Sequence, residues 1–256
     1  MQTTTPLRLA SVRPLVRYVD EQRAVIDAHF ALAGSAAELL SEPALAEADV
    51  EVEIDALDGF HDEGRTTAPL TRGRGTVRFE VVEPERWWPA GMGSQPLYRM
   101  RVSVMAEEEV IDSHLLSLGL TSVRYEDCET DHPRLLVNGR QCAVRSVLTV
   151  DQVDESQLLP ASRDNLLLVR DHYGPEVLYH AADRAGVLLI QCVPIHPEAA
   201  PELDVAGQVD RLTAHPSLVG WFVGHLGRMS DEVAARLRHL DPTRHVFRHL
   251  PPLGMK

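Results

Sequence analysis

The stretch H-P-S-L-V-G-W-F-V-G-H-L-G, His215 to Gly227, decides how the rest of the chain is read. A turn at His215-Pro216-Ser217 leads into an unbroken apolar run, Leu218 to Val223, that stops at Gly224. A short apolar run after a turn signal suits a strand buried on both faces, as in a parallel sheet. Residues flanking it alternate between the two periods of secondary structure. Upstream, Asn165 to Tyr173 reads as a strand. Pro175 to Arg184 follows as a helix, with Val177, Leu178, Ala181 and Ala182 on one face and Gly186 as its left-handed stop. Val187 to Val193 reads as another strand and Val205 to Ala214 as another helix. Downstream, Ser230-Asp231-Glu232 reads as an N-cap with first-turn acids, and Val233, Leu237 and Leu240 form the buried stripe of the next helix. Asp241-Pro242-Thr243-Arg244 is then a turn and His245 to Leu250 a strand. Such alternation implies right-handed parallel β/α units, whose chemistry sits beyond the C-terminal strand ends.

Before this region the punctuation is that of antiparallel strands. Val12 to Val19, Ala24 to Leu32 and Val50 to Ile54 are rich in β-branched residues and broken by Gly34-Ser35 and Asp58-Gly59. Val77 to Val81 and Tyr98 to Val104 alternate apolar and polar side chains, as strands with one solvated face do. Trp87 and Trp88 are read as core packing at a sandwich corner. Asn138-Gly139 lies between two apolar runs, the signature of a type I′ hairpin in which both central residues need positive φ.

Composition bounds the partners. A length of 256 residues and 44% hydrophobic content fit a folded protein of one large domain or two ordinary ones. A formal net charge of −13 argues against nucleic acid and anionic membranes. No N-terminal h-region or membrane-length apolar run is present, so a soluble cytoplasmic protein is expected. The three cysteines, Cys128, Cys142 and Cys192, have no C-x-x-C spacing and are expected as buried free thiols. No G-x-S-x-G elbow and no Gly-rich phosphate loop after a strand are found.

The opening stretch resembles the fourth barrel strand of the family 2 glycoside hydrolases, the β-galactosidase, β-glucuronidase and β-mannosidase group. There a His-Pro-Ser turn precedes a Trp-bearing strand that ends Gly-Asn-Glu, with the Glu as acid/base. Glu80 to Val102, with Trp87-Trp88-Pro89 and later Pro96-Leu97-Tyr98, is similar to the signature of the immunoglobulin-like domain before the barrel in that family. Leu118-Gly119-Leu120 through Val123-Arg124 resembles its closing strand. The hairpin at Asn138-Gly139 resembles the one that opens the barrel. Asn165 to Tyr173 resembles the family's Asn-x-x-Arg-x-x-His-Tyr pattern with one residue fewer, and Gln191 stands where members often carry a Glu.

The resemblance implies an immunoglobulin-like β-sandwich over 1–126 followed by a (β/α) TIM-type barrel over 127–256. A complete barrel takes about 250 residues and roughly 130 are present, so an incomplete barrel is expected. Retaining glycoside hydrolysis needs two carboxylates about 5–5.5 Å apart. His225 and Leu226 occupy the Asn and Glu positions, so no catalytic residue is assigned. By resemblance Arg170, His172, Tyr173 and His225 would line a carbohydrate-binding rim; they can equally be read as hydrogen-bonded polar residues at a sheet edge. Glu198 is the nearest replacement carboxylate, although exposed loop carboxylates are usually just solvated. His172, His196 and His225 at neighbouring strand ends could form a His₃ site, but their wide spacing leads us to expect no metal and no cofactor.

The function expected is that of a catalytically inactive relative acting as a carbohydrate-binding or assembly module. The alternative is a glycoside hydrolase whose missing groups come from a partner chain. An open barrel would leave Leu166, Leu168, Val187, Leu189 and Trp221 uncovered, so a homo-oligomer or a covering partner is expected.

Overall fold

The computed structural model describes residues 7–33, 47–56, 59, 61–106, 108–126, 134–144, 146–150, 165–170, 172–195, 204–224 and 227–249. Contacts divide the chain into two compact units, Met1–Pro84 with Pro96–Leu118, and Glu85–Gln95 with Gly119–Lys256.

The first unit is sandwich-like. Its strands are β1 (Arg8–Val19), β2 (Arg23–Ala33), β3 (Glu47–Ala56), β4 (His61–Pro69), β5 (Arg74–Val82), β6 (Tyr98–Ala106) and β7 (Glu109–Leu118). They form one sheet of order β1-β2-β5 and one of order β4-β3-β6-β7, all antiparallel. A constant-type immunoglobulin sandwich keeps its fourth strand with the first, second and fifth. Here β4 has moved across to pair with β3. Alternation buries one face of each sheet: Ala24, Ile26, Ala28, Phe30 and Leu32 on β2, and Val50, Val52 and Ile54 on β3. Val52 faces Val102 and Ile54 faces Met100 across the β3–β6 ladder. On the opposite face of β2, Asp27 lies opposite Arg78, which donates to it through Nε at 2.6 Å and a terminal nitrogen at 2.9 Å.

Sequence reading located β1, β2, β3, β5 and β6 but not β4 or β7. Only Ala68 of β4 is buried, so the strand has no apolar period to read. It is held by pairing along β3, where Thr67 donates to Asp49 at 2.7 Å and His61 meets Asp55 at 2.7 Å. Val110, Ile111 and Leu115 leave β7 with a largely exposed edge.

The second unit contains a three-stranded antiparallel sheet and a five-stranded parallel one. The first is β8 (Val123–Glu126), β9 (Arg134–Val137) and β10 (Arg140–Cys142), in the order β10-β9-β8. Its hairpin turns at Asn138 and Gly139, with φ of 49° and 77°, as the type I′ reading requires. The parallel sheet runs in sequence order through β11 (Ser146–Val150), β12 (Asn165–Val169), β13 (Leu188–Cys192), β14 (Leu218–Phe222) and β15 (His245–Phe247). Helices α1 (Glu176–Ala185), α2 (Val205–Leu212) and α3 (Gly227–Leu240) join the last four strands.

Between sheet and helices, Leu167, Val169, Leu189, Trp221 and Val246 pack against Leu178, Val209, Val233 and Leu237. On the other face Tyr125 of β8 meets Phe247 edge-on at 4.8 Å. The five side chains expected to be uncovered are all buried within the single chain. That ground for obligatory association therefore fails: helices shield Leu189 and Trp221 on one side, and the single chain also covers Leu166 and Leu168.

Two further expectations are corrected. Ser230 is no N-cap, because α3 begins at Gly227 and buries Ser230 one turn in. Arg228 and Met229 are good helix formers and Arg228 pairs with Glu232 at 2.9 Å, so the helix extends past the capping signal. Cys142 and Cys192 form no disulfide but are only partly buried, and Cys128 lies outside the described residues. Among the described residues no helix is long and apolar enough to cross a membrane.

The segment Glu85–Gln95 joins the second unit through specific bonds. Trp87 is buried and its indole nitrogen donates to the carbonyl of Asp183 at 2.8 Å. Ala90 donates to the carbonyl of Gly186 at 2.9 Å. Gly186 ends α1 with φ 69°, and a Cβ there would lie 2.5 Å from the backbone nitrogen of Ala90, so both conformation and space call for glycine.

Candidate functional site

At the C-terminal end of the parallel sheet, β12 stops at Val169, which puts Arg170, His172 and Tyr173 in the segment beyond it. Arg170 is exposed, and His172 and Tyr173 are partly buried. The Nδ1 of His172 lies 2.8 Å from the carbonyl of Arg170. A carbonyl only accepts, so Nδ1 carries the proton. Tyr173 packs against the layer between sheet and helices. Its hydroxyl is a buried polar atom without a hydrogen-bond partner, and burial pushes its pKa up.

Gln191 of β13 positions this segment. Its side-chain nitrogen donates to the carbonyl of His172 at 2.8 Å, while its oxygen accepts from the hydroxyl of Tyr179. A carboxylate could not donate to that carbonyl. Gln191 is thus a neutral anchor, fully buried. After β15, Arg248 donates to the carbonyl of Gly224 and pairs with Asp231 at 2.6 Å. The turn after β14 is thus tied to α3 and to the end of β15. His196, Glu198, His225 and Leu226 lie outside the described residues.

Between α1 and the turn before β14 lies an ionic network around the buried pair His215 and Asp183 that the sequence does not announce. His215 is 2% exposed, with Nδ1 2.6 Å from Asp183 and Nε2 3.1 Å from Glu176. Asp183 also accepts from the backbone nitrogen of Ser217 at 3.1 Å, so it holds both His215 and the turn that starts β14. Burial opposes the charged imidazole, but hydrogen bonds to Asp183 and Glu176 outweigh it and push His215 up to about 9. The bond from His215 and the neighbouring Arg211, 2.8 Å away, bring Glu176 down to about 2 despite partial burial. His180 stands on the same face of α1, with Nε2 3.6 Å from Glu176. One ligand atom each from His180, Asp183 and His215 lie within 4.8 Å of one another. The overlooked signal was the four-residue spacing of Glu176 and His180, which puts both on one helical face.

Comparison with known proteins places this architecture. The sequence profile of the family "Glycosyl hydrolases family 2" matches residues 19–120. The exo-beta-D-glucosaminidase of Streptomyces avermitilis is 26% identical over 180 residues, covering 58% of this chain and 20% of that protein. Beta-mannosidase B of Emericella nidulans is 25% identical over 231 residues, covering 75% of this chain and 27% of that protein. The chain thus spans about a quarter of the length of these curated relatives. Among solved structures, a glycosyl hydrolase family 2 member from Bacteroides cellulosilyticus superimposes with a TM-score of 0.73 at 19% identity, over 95% of this chain and 35% of the other. The beta-D-mannosidase of Dictyoglomus thermophilum gives 0.72 at 20% identity, over 94% and 34%. Sandwich-like sheets, an ordered parallel sheet with covering helices and these matches agree: this chain is similar to the glycosyl hydrolases of family 2, in sequence over residues 19–120 and in fold over most of its length.

Proposed function

We propose that this chain acts as a catalytically inactive family 2 module that binds carbohydrate or supports an assembly. On this reading the five-stranded parallel sheet is the first part of a (β/α) barrel, and its C-terminal edge faces the sugar. The single observation that carries the reading is chemical. Two residues after Gly224, where the resembling pattern has its proton donor, stands Leu226, whose side chain has no proton to transfer. Among the described residues near that edge, Asp231 is already paired with Arg248.

Binding would fall to Arg170, His172, Tyr173 and His225. The anchored backbone of His172 and the unpartnered hydroxyl of Tyr173 support this, because a polar atom without a protein partner is satisfied by water or ligand. Assembly is supported by the edges of the parallel sheet, where β11 and β15 pair on one side only among the described residues. Leu148 on β11 is 40% exposed, and unpaired strand edges favour a second copy or a partner chain.

The test uses the purified chain alone. Saturation-transfer NMR with methyl β-mannoside, β-glucosaminide, β-galactoside and β-glucuronide should detect binding that weakens in His172→Ala. Aryl glycosides of the same sugars should not be hydrolysed above a buffer control. Hydrolysis by the chain alone would overturn the inactive reading. Absence of both sugar binding and association, the latter followed by light scattering, would overturn the module reading.

A further inference from the structure

The geometry points to a metal site between α1 and the turn before β14: we propose that Glu176, His180 and His215 bind one divalent cation of the zinc type. This stands independently of the proposed carbohydrate role. A tetrahedral zinc ion at about 2.0–2.1 Å from its ligands keeps their donor atoms roughly 3.3 Å apart. Glu176 Oε1 lies 3.1 Å from His215 Nε2 and 3.6 Å from His180 Nε2, on either side of that spacing. The rings of His180 and His215 meet edge to face with centroids 4.9 Å apart.

The surroundings supply what a metal histidine needs. Asp183 takes His215 Nδ1 at 2.6 Å, the carboxylate–histidine arrangement that fixes a ligating imidazole and raises its basicity. The other Asp183 oxygen is committed to the nitrogen of Ser217, so Asp183 serves as the orienting group and not as a ligand. Arg211 holds Glu176 Oε2 at 2.8 Å and leaves Oε1 turned toward the histidines. His180 and Glu176 are 36% and 45% exposed, which gives the ion a way in and lets the His180 ring turn to complete the triangle. A fourth position is left for water.

Binding replaces a proton. The hydrogen that joins His215 Nε2 to Glu176 leaves to solvent as the cation takes both atoms. Two imidazoles and one carboxylate suit zinc or cobalt better than magnesium or calcium, which prefer all-oxygen sets. Since it joins α1 to the turn before β14, the ion acts as a structural clamp.

The experiment is a competition titration of chelator-stripped, tag-free full chain with zinc chloride against a chromophoric chelator, followed by thermal melts with and without zinc. One equivalent should bind with micromolar or tighter affinity and raise the melting midpoint. His180→Ala and Glu176→Gln, checked for unchanged far-ultraviolet circular dichroism, should each weaken binding at least tenfold and lose the zinc-dependent shift. Failure of the wild-type chain to compete for zinc would overturn the proposal. Equal binding by both variants would overturn it too, since the ion would then sit on other histidines of the chain.

Discussion

The indole nitrogen of Trp87 donates to the backbone carbonyl of Asp183 at 2.8 Å, joining two residues 96 positions apart. The side chain of that same Asp183 holds His215 and the nitrogen of Ser217, so one residue links the Trp87 segment, α1 and the turn into β14. Trp87→Phe removes the hydrogen bond and keeps most of the packing, and should cost about 1–3 kcal/mol through the carbonyl left unsatisfied. Trp87→Ala should cost roughly 3–5 kcal/mol. Urea midpoints measure both. Hydrogen exchange should rise in α1 before it rises in β1 or β2; the reverse order would contradict the placement of Trp87 in the second unit.

His215 gives the second unit a dependence on alkaline pH. Its pKa is raised to about 9 from the ordinary 6.5, so its contribution is fully present below about 6.5 and is lost as pH rises through 9. Each tenfold gain in proton affinity on folding is worth about 1.4 kcal/mol, which makes the contribution on the order of 3 kcal/mol. For chelator-treated protein, unfolding free energy should fall between pH 7 and 10, and Asp183→Asn should abolish most of that slope. A flat profile would show that the imidazole is neutral.

Gln191→Glu tests the anchor beneath His172. The new carboxylate would be buried, would face the carbonyl it now binds and could not donate to it. A cost of about 1–3 kcal/mol is expected, unless the group stays protonated and recovers the bond at low pH. The stability difference from wild type should therefore shrink as pH falls toward 5. A difference that does not change with pH would assign the loss to packing.

In the first unit, the bond from Arg78 holds Asp27 below its ordinary carboxylate pKa, against the effect of burial. Its contribution is present above about 3.9 and is lost as pH falls through the lowered value. Arg78→Gln should reduce stability at pH 7 and flatten the acid limb of the profile, read by denaturant titrations between pH 2 and 7. An unchanged acid limb would rule out Asp27 as its source.

Leu226→Glu should not create a glycosidase in this chain. General acid catalysis is worth about 10²–10⁴-fold, whereas enzymes accelerate by roughly 10⁶–10¹⁷-fold. The remainder comes from a nucleophile and a pocket that grips the distorted sugar. Aryl glycoside assays of wild type and variant decide it: turnover gained only by the variant would mean that a working nucleophile is already present in the chain.

Much of what is periodic in this chain was legible in the sequence, although the capping signal at Ser230 misplaced the start of α3. The apolar runs Leu166 to Val169, Leu188 to Ile190 and Leu218 to Trp221 announced parallel strands, because strands buried on both faces must be apolar throughout. Asn138-Gly139 announced its hairpin, because few residues accept positive φ twice in succession. That the Leu226 side chain has no proton to transfer is a matter of chemistry at one position. Other features depend on segments meeting in space. β4 has no burial period and exists through its pairing with β3. Trp87, read among sandwich strands, groups with the second unit because a carbonyl 96 residues away completes its hydrogen bond. His215, read as part of a turn, becomes a buried imidazole within hydrogen-bonding distance of Asp183 and Glu176. A turn residue gains that role only when two other segments bring carboxylates within hydrogen-bonding distance, and nothing local in the sequence encodes their approach.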